Sequence, residues 1–108
     1  MSKKPVRPRE LARRDVEAAV DFYSREAGAD VAVGFIDALR AAYRAIAEQP
    51  SSGSPRYAHE LALPELRTRM LRRYPYIVFY VEHEDFIDVW RVLHAHRDIP
   101  GSMDESES

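Results

Sequence analysis

The chain has 108 residues, enough for one domain with its own hydrophobic core, and no cysteine, so disulfides and cysteine-ligated metal sites are excluded. Residues 1–100 carry 16 basic against 15 acidic side chains, a balance that argues against broad binding to nucleic-acid phosphates; the net charge of −2 arises from acids at positions 104, 105 and 107. No apolar run approaches the roughly 20 residues of a membrane span, so we expect a soluble, cytoplasmic protein.

Two amphipathic helices are predicted after a short edge strand at residues 3–7. The first helix spans residues 8–27, where apolar residues recur at spacings of three and four, and Gly28 ends it. The second begins after Asp30, its N-cap, and Gly34 inside it is tolerated if a close approach between helices requires a small residue. Its apolar stripe is Val33, Phe35 or Ile36, Leu39, Ala42, Tyr43 and Ile46. Because each helix has one apolar face, we expect a helical hairpin that packs on a sheet.

The last third of the chain is predicted to form three antiparallel strands, because β-branched and aromatic residues dominate there. The strands are residues 66–71, 76–81 and 86–93. Residues 82–85 form a polar connector short enough for a hairpin. Together with the helices, these elements predict an α+β fold in the order β-α-α-β-β-β, with a mainly antiparallel sheet. Residues 1–100 are expected to form the single domain, and the acidic tail, residues 101–108, to be disordered.

Side-chain alternation in the last strand predicts that Asp88 and Arg91 lie on opposite faces of the sheet. Both faces of that strand are largely apolar. We therefore expect the helices to cover one face and another structure, such as a second chain, to cover the other.

Histidines near the end of the last strand are the best candidates for a metal site. His94 and His96 share one face by alternation, and Asp98 or His59 would have to complete a zinc site. Since the sequence specifies no third ligand, we predict no metal and no cofactor.

An alternative role for His94 is that of a general acid or base, because imidazole titrates near neutrality. Cleavage of RNA at a ribose 2′-hydroxyl requires a base, an acid and a cation that stabilises the phosphorane. The strand residues that would supply such a set are Arg67, Arg69, Arg91, His94 and Tyr80. More often such arginines pair with carboxylates, and Asp88, Asp98 and Glu65 lie nearby in the sequence.

A basic patch is formed by Arg67, Arg69, Arg72 and Arg73. Such a patch is most often a solvated face, but it also suits a flexible acidic partner. Trp90 is more often a core or interface residue than a platform for nucleic-acid bases. Arg97, with Asp98, is expected to tie the end of the chain to the fold.

With these residues in view, the sequence resembles the ParE branch of the RelE/ParE superfamily of bacterial type II toxins. The matching positions are Ala12-x-x-Asp15-Val16, Tyr23, Phe35-x-x-x-Leu39, Pro50-x-x-Gly53-x-x-Arg56, Leu66-Arg67, Tyr76-x-Val78-Phe79-Tyr80 and Ile87-x-Val89-x-Arg91-Val92-Leu93-His94-x-x-Arg97-Asp98. The resemblance covers about residues 6–100, and the terminal Arg-Val-Leu-His-x-x-Arg-Asp run is its specific part.

The resemblance implies a helical hairpin on a mainly antiparallel sheet, and a ParD-like antitoxin whose C-terminal segment folds over the toxin. It also implies a target, because ParE-like proteins stall DNA gyrase by binding whereas RelE-like proteins cut mRNA on the ribosome. We favour gyrase inhibition without enzymatic activity, since the charge is balanced; an endoribonuclease is the alternative, and an inactive relative kept for its partner a third possibility. The expected target or antitoxin contacts are Arg67, Arg69, Arg72, Arg73, Trp90, Arg91, His94 and Arg97.

Overall fold

The computed structural model describes residues 3–97 and 99–107, the last four of these as backbone only. Its elements are β1 (Val6–Pro8), α1 (Glu10–Ala27), α2 (Ala29–Glu48), a 3-10 turn (Pro50–Ser52), α3 (Arg56–Glu60), β2 (Leu66–Met70), β3 (Tyr76–Glu82), β4 (Ile87–His94) and α4 (Ile99–Glu107). The predicted α+β fold is confirmed. The first helix begins at Glu10, two residues later than expected, because Pro8 is the last residue of β1.

The four strands form one sheet in the order β1-β4-β3-β2. β1 runs parallel to β4, and the other two pairs are antiparallel, as predicted for a mainly antiparallel sheet. Residues 83–86 close the hairpin between β3 and β4, where the His83 N–H donates to the Phe86 carbonyl (2.9 Å). β1 pairs with β4 only as far as Val89, so the rest of that edge of β4 must find other partners.

Gly28 joins the two long helices. Its φ of 97° lies in the region that favours glycine, and its N–H caps α1 by donating to the Tyr23 carbonyl (3.0 Å). The helices then pack against one face of the sheet and form the first core cluster. Its buried members are Ala12, Ala19, Phe35, Leu39, Ala42, Ile46, Leu71, Val78, Tyr80, Ile87, Val89 and Val92.

Three details of α2 differ from the prediction. The helix begins at Ala29, so Gly28 and not Asp30 is its N-cap. Val33, expected in the apolar stripe, is 55% exposed, and Ala32 is buried instead. Gly34 is required by Tyr74 and not by another helix, because a Cβ there would collide with the Tyr74 hydroxyl, which donates to the Val31 carbonyl (2.9 Å).

The opposite face of the sheet is covered by this chain's own short helices. A second core cluster there contains Ala58 of α3 and Ile99 and Met103 of α4. The tail predicted to be disordered is therefore helical over Ile99–Glu107. Disorder was predicted from the acidic composition of the tail. Ile99 and Met103, however, lie one helical turn apart and form an apolar side that is buried against the sheet.

An irregularity in β4 changes which residues share a face. Phe79 pairs with Arg91 and Tyr80 pairs with Val89, so Trp90 is an extra residue in a β-bulge. Asp88 and Arg91 consequently lie on the same face, that of the second cluster, and the predicted opposition of these two residues is wrong.

Candidate functional site

Arg91 is held inside the fold by a buried carboxylate. Its Nε and Nη2 donate to Oδ2 and Oδ1 of Asp15 (2.7 and 2.8 Å). Asp15 also accepts a hydrogen bond from the N–H of Val92 (3.0 Å). This N–H lies on the edge of β4 beyond the end of β1, where no neighbouring strand among the described residues accepts it. Nη1 of Arg91 donates to the carbonyl of Ser102 in α4 (2.7 Å). With 2% of its surface exposed, Arg91 does not reach a partner in this conformation, contrary to its predicted role as a contact residue.

Trp90 belongs to a cluster centred on Asp88. Arg9 donates to both carboxylate oxygens of Asp88 (2.9 Å each) and lies 4.3 Å above the Trp90 ring. The Trp90 Nε1–H and the His83 Nε2 also contact Oδ2 (3.1 Å each). Burial alone raises the pKa of Asp88, but the hydrogen bonds from Arg9, His83 and Trp90 outweigh it and lower that pKa below its ordinary 3.8.

The sequence did not indicate that Arg9 and His83 are neighbours of Asp88 and Trp90. Trp90 is the single tryptophan of the chain and is half-buried. Arg9 precedes Asp88 by 79 positions, so no local spacing relates them. The two residues are brought together by the parallel register of β1 with β4, which places the residue after Pro8 beside Val89.

Tyr80 and Arg67 attach the loop after α2 to the sheet. The buried Tyr80 hydroxyl donates to the Pro50 carbonyl (2.6 Å), and Arg67 Nη1 donates to the Gly53 carbonyl (2.9 Å). Burial raises the pKa of Tyr80, although the Arg67 charge lowers it in part. A Cβ at Gly53 would collide with the Tyr80 hydroxyl, so glycine is needed there. The hydroxyl of Tyr80, a residue of the predicted RNA-cleaving set, therefore forms a hydrogen bond with a structural role.

The four arginines of the predicted basic patch lie along the outer strand β2 and the turn after it; we call this surface the arginine edge. Arg67 and Arg69 are half-buried, and Arg69 is 3.5 Å from the Ser52 hydroxyl, while Arg72 and Arg73 are exposed. Among the described residues, none of these four guanidinium groups forms an ion pair. The arginine edge thus carries four positive charges that form no ion pair, with Asp37 the carboxylate that lines the same pocket as Arg72 and Arg73.

His94 and Arg97 line a pocket between α1 and the end of β4, together with Tyr76 and the half-exposed Phe22. The His94 ring meets Tyr76 edge-on (5.2 Å), and its Nδ1 accepts the N–H of His96 (3.1 Å). When neutral, His94 therefore keeps its proton on Nε2. Burial raises the pKa of Tyr76, and the Arg97 charge partly opposes this. Asp15 also lines the pocket, but its carboxylate is paired with Arg91, so Arg97 and His94 are the groups that would contact an anion there.

The five residues of the predicted RNA-cleaving set do not converge. Arg67 pairs with Tyr80 at one end of the hairpin-covered face, whereas His94 pairs with Tyr76, four residues or about 13 Å further along β3. Arg91 faces the other side of the sheet. Of the five, only His94 lies in the pocket with Arg97, which is not a member of the set. Arg67, Arg69, Tyr80 and Arg91 lie elsewhere.

No metal site is evident in the parts of the chain described, because no three His, Asp or Glu side chains there are grouped closely enough. The rings of His94 and His96 are 5.3 Å apart, but Asp98, the third ligand considered, lies outside the described residues. Likewise, the described helices include none with the length and apolarity that a membrane crossing needs.

Comparison with known proteins identifies the family. The family model described as ParE toxin of type II toxin-antitoxin system, parDE, matches residues 6–99. No curated protein matches the sequence significantly. Among solved structures, a chain of the chromosomal ParDE TA system from P. aeruginosa has a TM-score of 0.73 and 18% sequence identity, covering 87% of this chain and 98% of that one; this similarity shows the fold. Because the family model spans most of its length, the chain belongs to the ParE toxin family of type II toxin-antitoxin systems.

Proposed function

We propose that this ParE-family toxin inhibits DNA gyrase by binding, in the cytoplasm, and that a ParD-like antitoxin neutralises it. The observation that carries this proposal is the use of the ionisable groups on the sheet. Tyr80 and Arg91 are committed to internal bonds, and His94 lies far from Arg67, so the five residues predicted for acid–base catalysis do not come together. The exposed charge is instead arranged as surfaces suited to binding.

Two surfaces are the proposed contacts with the target and the antitoxin. Among the described residues the guanidinium groups of the arginine edge form no ion pair, although Asp37 lines the same pocket as Arg72 and Arg73, so an acidic protein surface would meet the edge without first breaking an ion pair. The pocket at His94 and Arg97 would accept a carboxylate, with Phe22 as its apolar wall. Trp90 lies half-exposed on the other face of the sheet, and buried Arg91 pairs with Asp15, which lines the pocket at His94.

A gyrase supercoiling and cleavage assay with purified protein tests this function. The Arg72→Glu, Arg73→Glu double variant should lose inhibition by at least tenfold, because two exposed charges on the proposed contact are reversed. The matched control is the Arg13→Glu, Arg14→Glu double variant, which makes the same charge change on exposed positions of α1. Unimpaired gyrase in the presence of folded wild-type protein would refute the proposal.

The pocket at His94 supports a second candidate function, ribosome-dependent cleavage of mRNA. His94, Tyr76 and Arg97 could provide an acid or base beside a cation. A translating-mRNA cleavage assay run beside the gyrase assay separates the two. Cleavage that His94→Gln abolishes, with the fold retained, would establish the ribonuclease and exclude the binding-only reading.

A further inference from the structure

The tight turn between β2 and β3 is fixed on both sides. Leu71 is buried, and its N–H donates to the Tyr76 carbonyl (2.9 Å), which closes the turn. Tyr74 is fixed on α2, because its hydroxyl donates to the Val31 carbonyl (2.9 Å) and its ring meets two aromatic rings of the helical hairpin edge-on. The two residues between Leu71 and Tyr74 therefore have little freedom of backbone conformation.

Arg73, the second of those two residues, has a backbone conformation that is unfavourable for arginine. Its φ of 70° lies in the left-handed region, where the Cβ of any residue other than glycine comes close to a backbone carbonyl oxygen. Glycine would adopt this conformation with less strain, and asparagine is the other residue that tolerates it. Within the described ranges, Ala62 is the one other non-glycine residue with a positive φ (55°). The turn thus has a long charged side chain at a position where the backbone favours glycine.

Arg72 and Arg73 line one pocket, where this turn meets α2. The pocket has a volume of about 370 Å³. Its other lining residues are Gly34, Asp37, Ala38 and Tyr74. Both arginines are exposed, and neither forms an ion pair in the part of the chain that the structure describes. Because two guanidinium groups outnumber the single carboxylate of Asp37, the pocket favours an anionic group.

We propose that this pocket binds an acidic side chain of the protein target, and that the left-handed conformation of Arg73 places its guanidinium beside that of Arg72 for this contact. The identity of the target rests on the proposed function, inhibition of gyrase. Arginine suits this role because its planar group forms paired hydrogen bonds with a carboxylate. Since the turn is already rigid, binding requires no ordering of its backbone. Backbone strain of this kind persists at binding sites where it holds a side chain in place.

Arg73→Gly separates the role of the side chain from that of the backbone. The variant should melt about 2 °C or more above wild type, because the strain is relieved, yet half-maximal inhibition of gyrase should need at least tenfold more protein. The control Ala62→Gly relieves the same kind of strain without removing a charge, and should inhibit gyrase like wild type. Arg73→Asn, a second replacement that tolerates this conformation, should lose inhibition as Arg73→Gly does.

A tetraglutamate peptide gives a readout that does not depend on gyrase. Titrated at low salt, the peptide should shift the Nε–H NMR signals of Arg72 and Arg73, and it should bind the Arg73→Gly variant at least tenfold more weakly than wild type. Wild-type protein that binds the peptide in this way but leaves gyrase unimpaired would support the pocket and refute only the choice of target.

Three results would overturn the proposal. The first is a wild-type chain that does not bind the peptide through these two arginines. The second is a folded Arg73→Gly or Arg73→Asn variant that binds the peptide, or inhibits gyrase, as strongly as wild type. The third is an Arg73→Gly variant that melts at or below the temperature of wild type, because the backbone of Arg73 would then not be strained.

Discussion

Arg91 and Asp15, 76 positions apart in the chain, form a bidentate ion pair that is almost fully buried. Their side chains are only 3% and 7% exposed. The pair joins the first helix to the last strand at the point where β1 no longer pairs with β4, and the same carboxylate accepts the N–H of Val92. Arg91, the first residue of the specific Arg-Val-Leu-His-x-x-Arg-Asp run, therefore has a structural role in the fold.

Removing one partner of this pair should be costly. We expect Asp15→Ala to lower the free energy of unfolding by about 3–5 kcal/mol, because the charge of Arg91 is left buried without its carboxylate. Urea unfolding measures the change. The control is Asp21→Ala, which breaks the exposed pair with Arg25 and should cost at most about 1 kcal/mol. Equal costs for the two variants would contradict the structural role assigned to Asp15.

The Asp88 cluster should make stability depend on acid pH. Because its pKa in the folded chain is below the ordinary 3.8, ionised Asp88 stabilises the fold above that pH, and the contribution is lost as the pH falls through the folded pKa. Wild type should therefore be more stable than Asp88→Asn at neutral pH, and the gap should narrow below pH 3.8. Melting temperatures of both proteins between pH 2 and 7 test this; a gap that is constant with pH would rule it out.

Tyr43 should give the opposite dependence at alkaline pH. Burial and the negative charge of Asp15 raise its pKa from 10.0 to about 12, so the folded chain favours the neutral phenol. Its contribution is fully present below pH 10 and is lost as the pH rises through about 12. Wild type should lose stability relative to Tyr43→Phe over this range. A stability difference between wild type and Tyr43→Phe that stays constant from pH 9 to about 12 would contradict this prediction.

The close approach of Gly53 and Tyr80 should appear as coupling between the two positions. We expect Gly53→Ala to cost about 1–3 kcal/mol, because its Cβ would collide with the Tyr80 hydroxyl. Tyr80→Phe removes that hydroxyl and its bond to the Pro50 carbonyl, and should cost about 1–3 kcal/mol by itself. The double variant should cost less than the sum of the single variants. A double-mutant cycle from urea unfolding measures this, and strict additivity would show that the contact is not tight.

Much of the architecture was predictable because it follows from local patterns. Apolar spacings of three and four identified both long helices, Gly28 marked the turn between them, and runs of β-branched and aromatic residues located the three last strands. The basic patch was also visible, since its four arginines lie within seven residues. Each of these features depends only on neighbours in the chain.

The remaining features depend on pairings that no local period specifies. The bulge at Trp90 places Arg91 on the face opposite to the predicted one. The register of β1 places Arg9 beside Asp88. The acidic tail forms α4 because its apolar residues pack on the sheet. The sequence by itself determined the two long helices and the three last strands, because the period of apolar residues follows from backbone geometry. Only the tertiary structure decided which charged side chains are buried, because a buried charge needs a partner that folding brings from a distant part of the chain.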